Sequence, residues 1–94
     1  MRITGLIWLA DIVEKLLEKH GVRQQEVREV FASRPYFRFV EKGHRRGENV
    51  YVALGQTESG RYLAVFFVWK KSGHALILSA RDMTRAERRL YEQR

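Results

Sequence analysis

A chain of 94 residues, 45% hydrophobic and with a single proline, reads as one globular domain spanning 1–94, too short to split and too apolar to be disordered. It has no cysteine, which excludes disulfides, iron–sulfur clusters and thiolate zinc sites. Its net charge of +7 points to an anionic partner, and its longest apolar run, Tyr62–Trp69, is far too short for a membrane-spanning helix.

Ile3 and Gly5–Trp8 form an apolar run without helical period, which predicts a first strand at about 2–8. Asp11-x-x-Glu14 has the form of a capping box, and Ile12, Val13, Leu16, Leu17 and His20 make one stripe of a first helix. Gly21 stands where a glycine stops a helix. A second helix is predicted at 24–33, with Val27, Val30 and Phe31 as its stripe. Val22 and Val27 take the spacing of a hydrophobic staple if Arg23 is the cap, and Pro35 ends the helix. Tyr36–Val40 suggests a short strand, and Glu41–Gly47 a charged loop. Alternation predicts a strand at about 48–55, a turn at 56–60, and a strand at 61–69 that is apolar on both faces and therefore central. A turn at 70–73 and a strand at 74–81 follow. Thr84-x-x-Glu87 is a second capping box, opening a helix that runs to the end. The predicted order is β-α-α-β-β-β-β-α. The fold is a small two-layer α+β domain, an antiparallel meander covered by two N-terminal helices, with the last helix at an edge or left for a partner.

The charge is polarised. Residues 1–33 carry five basic and five acidic side chains; residues 34–94 carry thirteen basic and six acidic, and ten of the thirteen are Arg. Arginine forks onto phosphate or carboxylate in a way lysine does not, so nucleic acid or an acidic protein is the expected partner. Symmetric hairpins would place Arg61 beside Arg81 and Asp82, and Glu48 opposite Val68. Two clusters result: Arg61, Ser79 and Arg81 at one end, and Glu48, Lys70 and His74 with His44 or Arg46 at the other. The two arginines either await an anion or pair with the nearby Asp82 and Glu87. His20, at a helix C-terminus, has the place of a half-buried cap. No metal triad and no phosphate-cradling glycine loop is visible, so no cofactor is expected. RNA cleavage needs no metal in principle. The ribose 2′-OH attacks, a base takes its proton, cations stabilise the phosphorane, and an acid protonates the leaving oxygen. Nothing at the N-terminus has the form of a secretory leader, so a cytoplasmic location is expected.

Ile3-Thr4-Gly5-Leu6-Ile7-Trp8, Lys19-His20-Gly21-Val22, Glu26-Val27, Val30-Phe31, Glu48, Gly55-x-Thr57-x-x-Gly60-Arg61-x-Leu63, Ser79-Ala80-Arg81, Thr84-x-x-Glu87-Arg88 and Tyr91 follow one another in an order that resembles the BrnT-type toxins, a RelE-like branch of the type II toxin–antitoxin ribonucleases. The resemblance covers nearly the whole chain. It implies a RelE-like fold, an mRNA-cleaving endonuclease that inhibits translation, and a ribbon-helix-helix antitoxin whose complex with the toxin binds operator DNA. It places Glu48, His20, Arg61 and Arg81 as catalytic residues: Glu48 or His20 as base, Arg61 and Arg81 on phosphate. Ser79 also falls on a family position, Lys70 and Arg46 of the second cluster are further candidate phosphate contacts read from the residues, and Tyr91 is a weaker candidate for orientation or proton transfer. Asn49 and Leu76 stand where the family usually has arginines, and Leu16 where it has an asparagine. A non-catalytic antitoxin-binding co-repressor, or a basic nucleic-acid-binding domain, is the alternative.

Overall fold

A computed structural model describes residues 1–94. In chain order the elements are β1 (Gly5–Ile7), α1 (Ala10–His20), α2 (Gln24–Ala32), β2 (Tyr36–Glu41), β3 (Val50–Gln56), β4 (Tyr62–Trp69), β5 (His74–Asp82) and α3 (Arg85–Gln93). The predicted element order and the central place of 61–69 hold. The sheet runs β1-β5-β4-β3-β2, a meander of four antiparallel strands with β1 added in parallel along β5. That parallel strand is short, Gly5–Ile7 rather than 2–8, and Thr4 anchors it through its N–H to the Gly73 carbonyl (3.0 Å).

Local chemistry explains most of the boundaries. Gly21 adopts φ 60° and closes α1, its N–H donating to the Leu17 carbonyl. The Arg23 N–H donates to Glu26 Oε1 at 3.0 Å, starting α2 as predicted. At α3, the Thr84 hydroxyl and the Glu87 carboxylate cap each other's backbone N–H groups (3.1 and 2.8 Å). The box at Asp11 does not form: α1 begins at Ala10 behind Leu9, and Asp11 stands inside the first turn, where its charge suits the helix dipole.

Leu63, Val65 and Phe67 of β4, Ala53 of β3 and Ala75, Ile77 and Ala80 of β5 face α1 and α2, and meet Leu16, Val22, Val27 and Val30 there. Leu16 is thus a core residue. The opposite face carries Val52, Leu54, Ala64 and Phe66, and α3 seals one end of it through Tyr91. The last helix therefore lies across the second face, neither at an edge nor free. The rest of that face, toward the β2–β3 loop, stays open.

Both hairpin registers differ from the symmetric expectation. The β3–β4 turn is the three-residue loop Glu58–Gly60, closed by Thr57 N–H to the Arg61 carbonyl (2.9 Å) with Gly60 at φ 95°, so Val50 rather than Glu48 lies opposite Val68. β5 carries a bulge at Leu78, which lets Ile77 and Ala80 face the same helices. Consequently Arg81 pairs with Ala64, and Asp82 with Leu63. Asn49 lies beside Trp69, its carbonyl accepting the Trp69 N–H at 3.3 Å, and Leu76 lies beside Val68. Glu48 itself precedes the strand, in the loop 42–49.

Candidate nucleic-acid interface

The loop 42–49 folds back on itself through one glycine. A Cβ on Gly43 would overlap the Glu48 carbonyl, so only glycine lets the chain pass there. The Glu48 N–H donates to the Arg45 carbonyl at 3.1 Å, which fixes the turn. The β4–β5 turn supplies the other half. Lys70 N–H donates to the His74 carbonyl (2.8 Å) and Gly73 N–H to the Lys70 carbonyl (2.9 Å), holding Lys70 under the loop. There Lys70 Nζ donates to Glu48 Oε1 in an ion pair that ties loop to hairpin. The Lys70 hydrogen bond holds the Glu48 carboxyl below its ordinary range; partial burial opposes this, and the charges of Lys70, Arg45 and Lys71 add to it. Arg45, Arg46, Lys70, Lys71 and Ser72 surround Glu48 in a hollow of about 390 Å³ that no hydrophobic residue lines. Four cations around one carboxylate leave a surplus of positive charge. A second hollow of about 410 Å³ continues from Glu48 and His44 onto the open sheet face at Val50, Val68 and Leu78.

At the opposite end of β4, the half-buried Arg61 is committed to partners within the chain. Its Nε and one Nη bind Asp82 (2.8 and 3.4 Å). Its Nη atoms also donate to the carbonyls of His20 and Gly21 (both 2.9 Å) and to Glu26 (3.3 Å). The guanidinium thus ties the end of α1, the start of α2 and the end of β5 to one point. Thr57, buried in the hairpin turn, accepts the Arg61 N–H at 3.0 Å. Much of the Gly55-x-Thr57-x-x-Gly60-Arg61 motif is accordingly turn and clamp.

Arg81 points to the other face of the sheet. It makes a bidentate pair with Glu87 of α3 (2.7 and 3.0 Å) and lies over the Phe66 ring at 5.1 Å. Burial pushes the Glu87 carboxyl up, but the Arg81 fork and the Thr84 N–H outweigh it, and the net shift is down. Arg88 stacks on Tyr62 at 3.9 Å on the same side. Ser79 shares this face, opposite Phe66. Both predicted arginines are therefore ion-paired, with the acids the sequence placed near them.

The structure brings Glu48, Lys70, Arg46 and His44 together, and separates them from Arg61 by the length of β4, about 25 Å at ~3.3 Å per residue. His74 is drawn off to Ser72, its Nδ1 2.9 Å from the hydroxyl. His20 is exposed rather than half-buried, next to a small hollow that includes Lys15, Lys19 and Ser79. Arg61, Ser79 and Arg81 do not share one face. Gly43 and Lys71 join the site without a distinctive motif: one is a glycine inside a charged loop, the other half of a doubled lysine at a turn. The largest hollow, about 610 Å³, lies between α2 and the β3–β4 turn. Its charged lining is Glu29 and Glu58 against Arg28 alone, a net negative charge that repels a polyanion, so the smaller basic hollow is the better nucleic-acid site.

Residues 8–87 match the family model described as "Ribonuclease toxin, BrnT, of type II toxin-antitoxin system". No curated protein matches the chain.

Proposed function

The chain belongs to the BrnT family of ribonuclease toxins of type II toxin–antitoxin systems, and we propose that it cleaves mRNA without a metal ion at the Glu48 end of the sheet. The observation that carries this reading is the ring of Arg45, Arg46, Lys70 and Lys71 around one ionised carboxylate. No helix is long and apolar enough to cross a membrane.

In this proposal Arg46, Arg45 and Lys71 take the phosphates on either side of the scissile bond. An incoming phosphate draws Lys70 off Glu48. The freed carboxylate loses the hydrogen bond that held it acidic and becomes a better base. Glu48 accepts the 2′-OH proton as the 2′-oxygen attacks phosphorus. Lys70 stabilises the charged phosphorane and delivers a proton to the departing 5′-oxygen. The products are a 2′,3′-cyclic phosphate and a 5′-hydroxyl. The proton on Glu48 returns to Lys70 through water.

Arg81 and Ser79 extend the track over the open face, with Phe66 and the Arg88–Tyr62 stack beside it. Tyr91, buried between α3 and the sheet, keeps that face in shape. Arg61 is a positioning residue, and His20 stands at the far end as the competing base. The neutralising antitoxin is proposed to be of the ribbon-helix-helix type, as the resemblance implies. Incubating the purified protein with a defined mRNA in EDTA tests the reading. Fragments ending in 2′,3′-cyclic phosphate support it; no cleavage, or cleavage of a 2′-deoxy-substituted site, overturns it.

A further inference from the structure

We propose that the open edge of β2 holds the antitoxin, through an extended acidic segment that adds beside β2 as a sixth strand. That an antitoxin exists rests on the family; where it docks rests on the edge. β2 pairs only with β3, and no backbone hydrogen bond outside that ladder involves residues 36–41. Half of its backbone groups therefore point outward without a partner in the chain. Proteins usually blunt such an edge. Here a bulge at Val40 and two charges, Arg38 and Glu41, are the only blunting, and the strand exposes two large apolar side chains, Phe39 (55%) and Val40 (41%). Phe39 is braced rather than loose: its ring meets Tyr51 edge-on at 5.9 Å, and Tyr51 meets Trp69 at 6.0 Å.

Charge selects the occupant. Residues 34–46 carry five basic side chains and one acidic one. A second copy would bring its own basic edge, on a chain of +7, against this one. RNA is anionic but has no amide ladder to satisfy the strand. An acidic peptide in extended form does both: its backbone pairs with β2, apolar side chains on one face meet Phe39, and carboxylates on the other meet Arg38. Because β2 runs directly into the loop that carries Arg45, Arg46 and Glu48, a segment seated there reaches the same cations that RNA phosphates would use. Neutralisation follows from occupancy, with no change in the fold.

The probe is a short synthetic peptide alternating glutamate with valine, added to the labelled full chain while amide exchange is followed by NMR. We expect saturable binding with slowed exchange at Arg38–Glu41. Binding should fall about tenfold for Phe39→Glu, and for a peptide with lysine in place of glutamate. Unchanged exchange in β2 up to the peptide's solubility, or equal binding by Phe39→Glu, overturns the proposal. So does slowed exchange at β2 with a short RNA instead of the peptide, or a dimer in sedimentation that Phe39→Glu dissolves. Phe39→Glu should keep wild-type RNA cleavage. Peptide binding by a chain that cleaves no RNA would sink the catalytic reading and leave this one standing.

Discussion

Arg61 and Arg81 serve opposite faces of one sheet: Arg61 reaches the α1–α2 junction through Asp82, Glu26 and two carbonyls, while Arg81 reaches Glu87 on α3. Their separation divides the molecule into a clamp on one side and an open, basic surface on the other.

Arg61→Ala leaves Glu26, only 15% exposed, with the Arg23 N–H as its one remaining partner, and strips the side-chain donor from two backbone carbonyls. The expected loss is about 1–3 kcal/mol of stability, read from urea unfolding. The Asp82 contact adds little, because its carboxylate is 67% exposed. RNA affinity of the folded variant should match wild type. A variant of unchanged stability that loses RNA binding would make Arg61 a phosphate ligand.

Acid should loosen both arginine pairs. Asp82 is held below its ordinary 3.8, first by the Arg61 hydrogen bond, and Glu87 ends below its ordinary 4.5. The unfolded chain therefore binds these protons at higher pH than the folded one. Their contribution is complete above the ordinary carboxylate values and is lost as pH falls through the lower, folded ones. Unfolding midpoints measured from pH 7 down to 3 should drop, and Asp82→Asn with Glu87→Gln should flatten the curve. A double variant with the wild-type slope would place the acid sensitivity elsewhere.

Two glycines should behave differently when changed to alanine. Gly55 faces Val30 of α2 and Ser33 just after it, each 3.0 Å from where a Cβ would sit, so Gly55→Ala should cost about 1–3 kcal/mol by pushing α2 from the sheet. Gly43→Ala should leave the core intact and displace Glu48. The expected signature is lost cleavage with NMR shifts confined to the loop and the β4–β5 turn. Shifts spread through the core would contradict it.

Salt dependence reads the phosphate contacts. Arg46→Ala and Lys71→Ala should each reduce the slope of log affinity against log salt by roughly one. Arg28→Ala, at the acidic end, should leave the slope as it is.

Periodic and capping signals were legible in the sequence. The stripe of α2, the Gly21 stop, the Thr84 box and the central β4 all depend on local spacing, and local spacing is what a sequence displays. The parallel pairing of β1 was not legible, because its partner lies some seventy residues away and Thr4 and Gly73 meet only in the fold. Register failed for similar reasons: a three-residue turn and the Leu78 bulge each shift the pairing without a distinctive pattern. At the site, the nearness of Glu48 to Lys70 followed from the hairpin even in the wrong register, though not their ion pair. The face on which each arginine emerges did not, since one bulge reverses it. Gly43 needed the fold to show why it is glycine.

Glu48 and His20 lie at opposite ends of the molecule, and the proposed chemistry needs only the first. Single-turnover cleavage of one defined mRNA in EDTA by wild type, Glu48→Gln and His20→Ala decides it. Glu48→Gln should lose about a hundredfold or more, typical of removing a general base, with His20→Ala near wild type. A Glu48→Gln enzyme that cleaves normally, beside an inactive but folded His20→Ala, would contradict it.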